Sequence, residues 1–211
     1  MSASRRSTLR TRAQLIGLIG PIGCGKSTVA GWLAERGAAI IDADQLTRSI
    51  MTPGSRVTDA IIARFGGDYR LADGSLDRAA LGHLVFADPD RLAELEAIVH
   101  PAVARLQEDA ILAAEALRPA AIVIEAIKLV EAGYAGRCDD VWLVTCEPEA
   151  QLVLLTRRGM SAADARQRIA AQSTSLALWR AAATRILCTD GQPAAVELAV
   201  AAAFEELLGT R

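Results

Sequence analysis

The chain alternates short, continuous apolar runs with longer segments in which apolar residues recur every three or four positions. Five runs have the length of strands, and their continuous apolar character is typical of parallel strands covered on both faces. They occupy residues 14–19, 38–42, 120–124, 141–144 and 185–188. The periodic segments predict helices at 27–35, 88–99, 102–117, 149–157, 162–172 and 193–208. This alternation predicts an α/β fold with a parallel sheet flanked by helices.

The first apolar run leads into Gly20-Pro21-Ile22-Gly23-Cys24-Gly25-Lys26-Ser27, which fits the phosphate-binding pattern G-x-x-x-x-G-K-[ST]. A strand before the loop and a helix after it supply the context that this pattern requires. We expect Lys26 to reach the β and γ phosphates of a nucleoside triphosphate, Ser27 to bind Mg²⁺, and Thr28 to contact the α phosphate. Backbone N–H groups converge on phosphate oxygens in such loops, and here they belong to Gly23, Cys24 and Gly25.

Acidic residues follow two of the predicted strands, at the sheet edge where ligands of α/β proteins bind. Asp42 and Asp44 end the second strand, and Glu125 ends the third. We expect Asp44 to orient or deprotonate an acceptor hydroxyl, with Asp42 as the second candidate and one of the pair assisting Mg²⁺. The alternative is that Asp44 caps the helix that follows. Glu125 is expected either beside Mg²⁺ or in a salt bridge with Lys128.

Composition narrows the class of protein. The 211 residues are 52% hydrophobic but only 4% aromatic, so the core is expected to be largely aliphatic. The net charge of −2 disfavours nucleic-acid and membrane-surface partners, because a general positive field is lacking. No apolar run approaches the roughly 18 residues that would cross a membrane.

Four cysteines, without a C-x-x-C pair, predict reduced thiols in a cytoplasmic protein rather than a disulfide framework or a zinc site. Cys24 stands near a helix N-terminus. Its thiol is a candidate sensor of oxidation.

Residues 1–13 are rich in Ser, Thr and Arg and contain no acid. A targeting peptide would need an apolar run before its cleavage site, but the run that follows this segment has only about six residues and continues into the phosphate loop, so cleavage there would remove the first strand. We therefore expect a disordered basic tail.

Further motifs follow the phosphate loop in order: Asp42-Ala43-Asp44, Asp73-Gly74-Ser75-Leu76-Asp77-Arg78, Val85-Phe86-Ala87-Asp88-Pro89 and Leu95-Glu96-Ala97-Ile98-Val99-His100-Pro101. Taken together, the series resembles the dephospho-CoA kinase family from about residue 14 to residue 191. The resemblance implies a P-loop kinase fold with ATP and Mg²⁺ as cofactors, and phosphorylation of the ribose 3′-hydroxyl of dephospho-CoA, the last step of coenzyme A synthesis. The alternatives are a related kinase for another small nucleoside or metabolite, or a nucleotide-binding regulator that has lost turnover. Oligomeric state is left open.

The resemblance also implies three parts. These are a core of about 14–53, 119–150 and 184–211, a helical acceptor-binding insertion of about 54–118, and a lid of about 151–180. Asp77, Arg78 and His100 are implied to line or support the acceptor pocket, although turns and helix starts explain the same residues. In the lid, Arg157 or Arg158 is expected to contact phosphate, whereas Arg166 and Arg168 have the pattern of solvated helix positions.

Several residues depart from the family pattern. In the loop these are Ile19, Pro21 and Cys24, and none of them removes Lys26 or Ser27. Cys24 stands where the family has serine, so it is either a plain replacement for that serine or a thiol that senses oxidation. Lys128 stands within Ile127-Lys128-Leu129, where the family has proline-leucine-leucine, and it places a cation near the phosphates or the acceptor. Leu154 replaces a common lid arginine, and Thr184 and Thr189 stand where Asp and Asn are frequent.

Overall fold

A computed structural model describes residues 12–209 of the chain. The strands are β1 Gln14–Ile19, β2 Ala39–Asp42, β3 Ala121–Glu125, β4 Asp140–Thr145 and β5 Arg185–Cys188. The helices are α1 Lys26–Glu35, α2 Ala43–Ser49, α3 Arg56–Phe65, α4 Arg78–Ala87, α5 Pro89–Ala116, α6 Pro148–Arg157, α7 Ala162–Ser173, α8 Leu176–Ala182 and α9 Pro193–Gly209. Short 3₁₀ turns lie at Gly67–Tyr69 and Tyr134–Arg137.

The five strands form one sheet in the order β2-β3-β1-β4-β5. β1 is central and pairs in parallel with β3 and β4, and β4 pairs in parallel with β5. Each strand lies within one residue of the predicted run at either end. The parallel α/β sheet is therefore confirmed, and the carboxyl ends of β1, β3 and β4 meet at the same edge.

Packing on both faces of the sheet buries β1 along its whole length and buries the four central residues of β4. Ile16 and Leu18 of β1 belong to one cluster with Trp142 of β4, and residues of α1 and α9 complete that cluster. Trp142 and Phe204 are almost wholly buried. Burying a large apolar side chain contributes about 1.5–3 kcal/mol, so this layer stabilises the sheet from which the loop extends.

The described residues divide into two compact units. One consists of residues up to Ile41 and from Ala113 onward, and the other is Asp42–Leu112. The second unit contains α2, α3, α4 and most of α5. Its own core includes Ile61, Leu81 and Val99, so these helices bury an apolar face within the unit.

The expectation that His100-Pro101 separates two helices is wrong. α5 runs without a break through Pro101. Proline lacks the N–H that would bond to the carbonyl of Ala97. Val99 and Val103, on either side of it, pack against the core of the second unit, and this packing keeps the flanking turns helical.

Residues 1–11, most of the predicted tail, lie outside the described residues. Arg12 forms two hydrogen bonds with the carboxylate of Asp139, at 2.9 and 2.6 Å. Among residues 12–209, no helix combines the length and the apolar character needed to cross a bilayer.

Candidate active site

The phosphate loop wraps around the ammonium group of Lys26. The Nζ atom donates to the carbonyl oxygens of Gly20 at 2.8 Å and Pro21 at 3.1 Å, and the side chain is buried. α1 begins at Lys26, after Gly25 in a left-handed conformation. The loop therefore holds a positive charge beside a helix N-terminus, which is an anion-binding arrangement.

Gly20 is required by the close approach of the loop to β4. Its φ is +147°, and a Cβ atom placed there would lie 2.2 Å from the carbonyl oxygen of Val144. A side chain at this position would force the loop away from the strand. The first glycine of the motif is thus fixed by packing as well as by backbone conformation.

Ser27 and Glu125 meet at the sheet edge. The Ser27 hydroxyl donates to Oε1 of Glu125 at 2.9 Å. The meeting follows from the topology, because β1 and β3 are parallel neighbours with Leu18 opposite Glu125. The alternative salt bridge with Lys128 is wrong, since Glu125 makes no ion pair with Lys128 within residues 12–209.

Two glutamines hold the loop from the predicted lid. Gln151 of α6 is buried and donates from Nε2 to the carbonyl of Ile22 at 2.8 Å. Gln172 of α7 accepts from the N–H of Ile22 at 2.7 Å. The sequence interpretation missed both contacts, although a glutamine on the inward face of an amphipathic helix is a signal for such a contact.

Thr189 ties the loop to β5. Its hydroxyl lies 2.9 Å from the carbonyl oxygen of Cys24 and 3.1 Å from that of Thr145. Thr184, the other threonine that departs from the family pattern, donates to Asp140 at 2.6 Å. Both threonines therefore form hydrogen bonds with residues of β4.

The expectation that all cysteines are reduced thiols is wrong for two of them. Cys24 and Cys146 form a disulfide with their Cα atoms 5.2 Å apart. They are separated by 122 residues, but each follows a strand at the same sheet edge. The parallel pairing of β1 with β4 brings the two cysteines together, although their spacing in the sequence gives no sign of it. Cys138 and Cys188 are free.

The arginines of α6 and α7 project outward. Arg157, Arg158, Arg166 and Arg168 are exposed. Their guanidinium groups make no hydrogen bond or ion pair with the part of the chain that the structure describes. Lys128, beyond the end of β3, is likewise exposed and makes no such contact there. These cations are available to an anionic ligand.

In the second unit, Asp42 caps α2. Its carboxylate accepts from the N–H of Gln45 at 2.8 Å, while Asp44 lies in the first turn of the helix. The alternative that Asp44 is the cap is therefore wrong. The cap and the candidate base are separate carboxylates.

The residues implied to serve the acceptor lie on the same unit. Asp77 caps α4 by accepting from the N–H groups of Ala79 and Ala80. The Arg78 guanidinium approaches the carbonyls of Arg48 and Met51 at 3.3 and 3.5 Å. His100 is exposed on α5.

Asp73 begins the turn that precedes α4. Hydrogen bonds from the Ser75 hydroxyl and N–H lower the pKa of its exposed carboxyl. The Asp73 carboxylate therefore stabilises the turn within the D-G-x-L-D-R motif.

Comparison with known proteins places these features in a family. The family model described as Dephospho-CoA kinase matches residues 14–194. A dephospho-CoA kinase of Geobacter metallireducens is 48% identical over 159 residues, which are 75% of this chain and 79% of the relative. One from Moorella thermoacetica is 41% identical over 195 residues, 92% of each chain. The solved structure of TT1252 from Thermus thermophilus superposes with a TM-score of 0.78 at 34% identity, and covers 93% of this chain and 98% of that chain.

Proposed function

This chain belongs to the dephospho-CoA kinase family, and we propose that it transfers the γ-phosphoryl group of ATP to the ribose 3′-hydroxyl of dephospho-CoA. The products are ADP and coenzyme A. The observation that carries the proposal is the buried Lys26 ammonium inside a formed phosphate loop, in a chain matched by the family over residues 14–194. We also propose a cytoplasmic location, which suits this biosynthetic reaction.

The loop supplies charge and alignment rather than covalent chemistry. Two carbonyls of the loop orient the Lys26 ammonium, and we assign it to the β and γ phosphates. Gly23, Cys24 and Gly25 offer backbone N–H groups, and Thr28 in the first turn of α1 is assigned to the α phosphate. Phosphoryl transfer needs in-line positioning and stabilised negative charge, which this arrangement provides.

Ser27 and Glu125 fit Mg²⁺. They bring a hydroxyl and a carboxylate oxygen within 2.9 Å of each other, and hard divalent cations prefer oxygen ligands. Residues 12–209 contain no group of three or more His, Cys, Asp or Glu side chains suited to a metal. The ion would therefore take its remaining ligands from phosphates and water, and when bound it would neutralise charge on the phosphates.

Asp44 is our choice for the group that accepts the proton of the acceptor hydroxyl or orients that hydroxyl. The capping role that competed with it is carried by Asp42. Asp42 remains the second candidate, because only Oδ1 of its carboxylate accepts the capping hydrogen bond and Oδ2 is left for the acceptor hydroxyl. Asp44 follows it by two residues, in the first turn of α2.

Recognition of the acceptor is assigned to Asp77, Arg78, His100 and Lys128. Dephospho-CoA carries a diphosphate, which an arginine recognises by paired hydrogen bonds. Arg78 is suited to this role because its present contacts, with two carbonyls, are long. Asp77 positions Arg78 by capping the helix on which Arg78 is the first residue. His100 and Lys128 are assigned to polar groups of the acceptor.

Arg157 and Arg158 are assigned to the transferring phosphate. Arg157 is the last residue of α6 and Arg158 is its C-cap, just before Gly159, whose φ of +87° marks a sharp turn toward α7. Their exposure leaves both guanidinium groups accessible to an anion. Closing this segment over ATP would add positive charge and exclude water from the reacting groups.

The proposal is tested by identifying the product. Purified protein is incubated with ATP, Mg²⁺ and dephospho-CoA, and the product is analysed by mass spectrometry and phosphorus NMR. We expect one added phosphate, on the ribose 3′-oxygen. ADP release that is independent of dephospho-CoA, or a phosphate at another position, would contradict the assigned acceptor.

A further inference from the structure

We propose that the Cys24–Cys146 disulfide is a reversible thiol-modification site that pre-organises the phosphate loop, so that the affinity for ATP depends on the redox state of these two residues. The inference rests on the proposed assignment of the loop to ATP phosphates. The two sulfur atoms are bonded across the edge of the sheet where the loop lies. None of the roles assigned above uses this bond.

The fold brings the two cysteines together. β1 and β4 are parallel neighbours, with Ile19 opposite Leu143. Cys24 lies five residues beyond Ile19, and Cys146 lies three residues beyond Leu143. Their Cα separation of 5.2 Å falls in the usual disulfide range, so the bond joins segments that the sheet already holds in register.

Cys24 lies within the part of the loop that contacts phosphate. It directly precedes Gly25, the left-handed residue before Lys26. Its carbonyl oxygen is held by Thr189 at 2.9 Å. A covalent bond from its side chain to Cys146 therefore restricts the backbone whose N–H groups we assign to phosphate.

The two cysteine residues differ in their exposure to solvent. Cys24 is 1% exposed, whereas Cys146 is partly exposed. Cys146 also lines a cavity of about 270 Å³ together with Pro21, Gln151, Gln172 and Arg180. A small thiol or disulfide that enters this cavity meets Cys146 first.

Exchange with small molecules then follows a defined order. In reduction, an external thiolate attacks Sγ of Cys146, the S–S bond breaks, and its electron pair leaves on Cys24 as a thiolate. A second external thiolate attacks the mixed disulfide, which releases Cys146 and one small-molecule disulfide. Oxidation is the reverse, in which one small-molecule disulfide gains two electrons and yields two thiols. The helix N-terminus next to Cys24 stabilises the departing thiolate.

Reduction leaves the loop with its non-covalent contacts, from Gln151, Gln172 and Thr189. The reduced loop samples more conformations, and ATP must select the phosphate-binding one. If that conformation falls to between a third and a tenth of the population, the Kd for ATP rises roughly three- to tenfold. The bond also closes a long loop in the unfolded chain, so reduction should lower the Tm by roughly 5–15 °C.

The test measures ATP binding without the acceptor, because the thiol of dephospho-CoA would itself exchange with the disulfide. Full-length protein is prepared with oxidised glutathione or with a phosphine reductant, and calorimetry gives the Kd for ATP in each state. Alkylation after denaturation counts the free thiols. Two are expected in the oxidised protein, Cys138 and Cys188, and four in the reduced protein.

Two variants separate the disulfide from general oxidation. Cys146→Ser should bind ATP with the weaker affinity in both buffers. Cys138→Ala removes a cysteine that precedes β4, at the end of the strand opposite Cys146. The ATP affinity of this variant should still differ between the oxidised and the reduced protein. Four free thiols after oxidation, or equal ATP affinities in the two states, would overturn this inference alone. Absence of ATP binding in both states would overturn the proposed function as well.

Discussion

The side chain of Gln172 accepts a hydrogen bond of 2.7 Å from the backbone N–H of Ile22, which links α7 to the phosphate loop across 150 residues of sequence. Gln151 bonds the carbonyl of the same residue. Ile22 is thereby held at both of its peptide groups by helices of the predicted lid segment. Movement of that segment and the shape of the loop are expected to be coupled.

Replacing Gln172 should weaken ATP binding. Gln172→Leu removes the acceptor for the Ile22 N–H, and one lost hydrogen bond costs about 0.5–1.5 kcal/mol, so we expect the KM for ATP to rise roughly three- to tenfold. Steady-state kinetics at saturating dephospho-CoA measure this change. Arg166→Gln, an exposed neighbour on α7, is the matched control and should stay within about twofold of wild type. An unchanged KM for Gln172→Leu would show that the contact does not position the loop.

Substitutions at Asp44 and Asp42 should have different effects, one on catalysis and the other on the stability of the helix that Asp42 caps. Asp44→Asn is expected to retain ATP binding and lower kcat by roughly a hundredfold or more, because it removes the candidate base. Asp42→Ala should lower the free energy of unfolding by about 1 kcal/mol, since it removes the carboxylate that caps α2 by accepting from the N–H of Gln45. Kinetics and urea denaturation of both variants give the comparison. If Asp44→Asn lost stability but kept its turnover, Asp44 would have a structural role.

Two glycines offer a matched pair for the packing of the loop. Gly20→Ala would place a methyl group 2.2 Å from the Val144 carbonyl oxygen, and we expect a loss of about 3 kcal/mol or more, or no folded protein. Gly31→Ala, in α1, meets no atom within 4 Å. It should raise stability by about 0.5–1 kcal/mol. Thermal unfolding of the two variants checks both signs, and a Gly20→Ala protein as stable as wild type would contradict the close approach of the loop to β4.

The two free cysteines should differ in reactivity. Burial, with Asp139 nearby, raises the pKa of the Cys138 thiol to about 11, from an ordinary 9.0. Cys188 is exposed. At pH 8 we expect iodoacetamide to modify Cys138 at least roughly tenfold more slowly than Cys188, since the thiolate is the nucleophile. Peptide mass spectrometry over time measures both rates in one sample, and equal rates would contradict the burial of Cys138.

The same shift fixes the sign of a pH effect on stability. The unfolded thiol of Cys138 ionises near pH 9, while the folded thiol stays neutral until about pH 11. Its contribution to stability is therefore present below pH 9 and is lost as the pH rises from 9 to 11. Cys138→Ala should show a shallower fall in Tm over that interval than the wild type does.

The strands and the loop could be predicted because their signals are local. Each strand is a continuous apolar run, and the glycines and lysine of the loop are adjacent in sequence. The meeting of Ser27 with Glu125 was also foreseeable, because parallel strands deliver their ends to one edge. These features need only the order of the elements.

The errors came from contacts between distant segments. The Cys24–Cys146 bond depends on β1 and β4 being neighbours, which the spacing of cysteines does not encode. Pro101 continues a helix because packing on either side outweighs one missing hydrogen bond. Assigning the cap to Asp42 rather than Asp44 required a helix start placed to within one residue.

The most direct measurement of the central claim is a rapid-quench experiment with ATP labelled in its γ phosphate. Excess enzyme, Mg²⁺ and dephospho-CoA are mixed with the label, and the products are separated after one turnover. We predict that the label appears in coenzyme A for the wild type, and that Lys26→Ala slows this transfer by a thousandfold or more, on the order expected for loss of a phosphate-binding charge. Label that remains in ATP, or that appears only as inorganic phosphate, would contradict the assignment of this chain as a dephospho-CoA kinase.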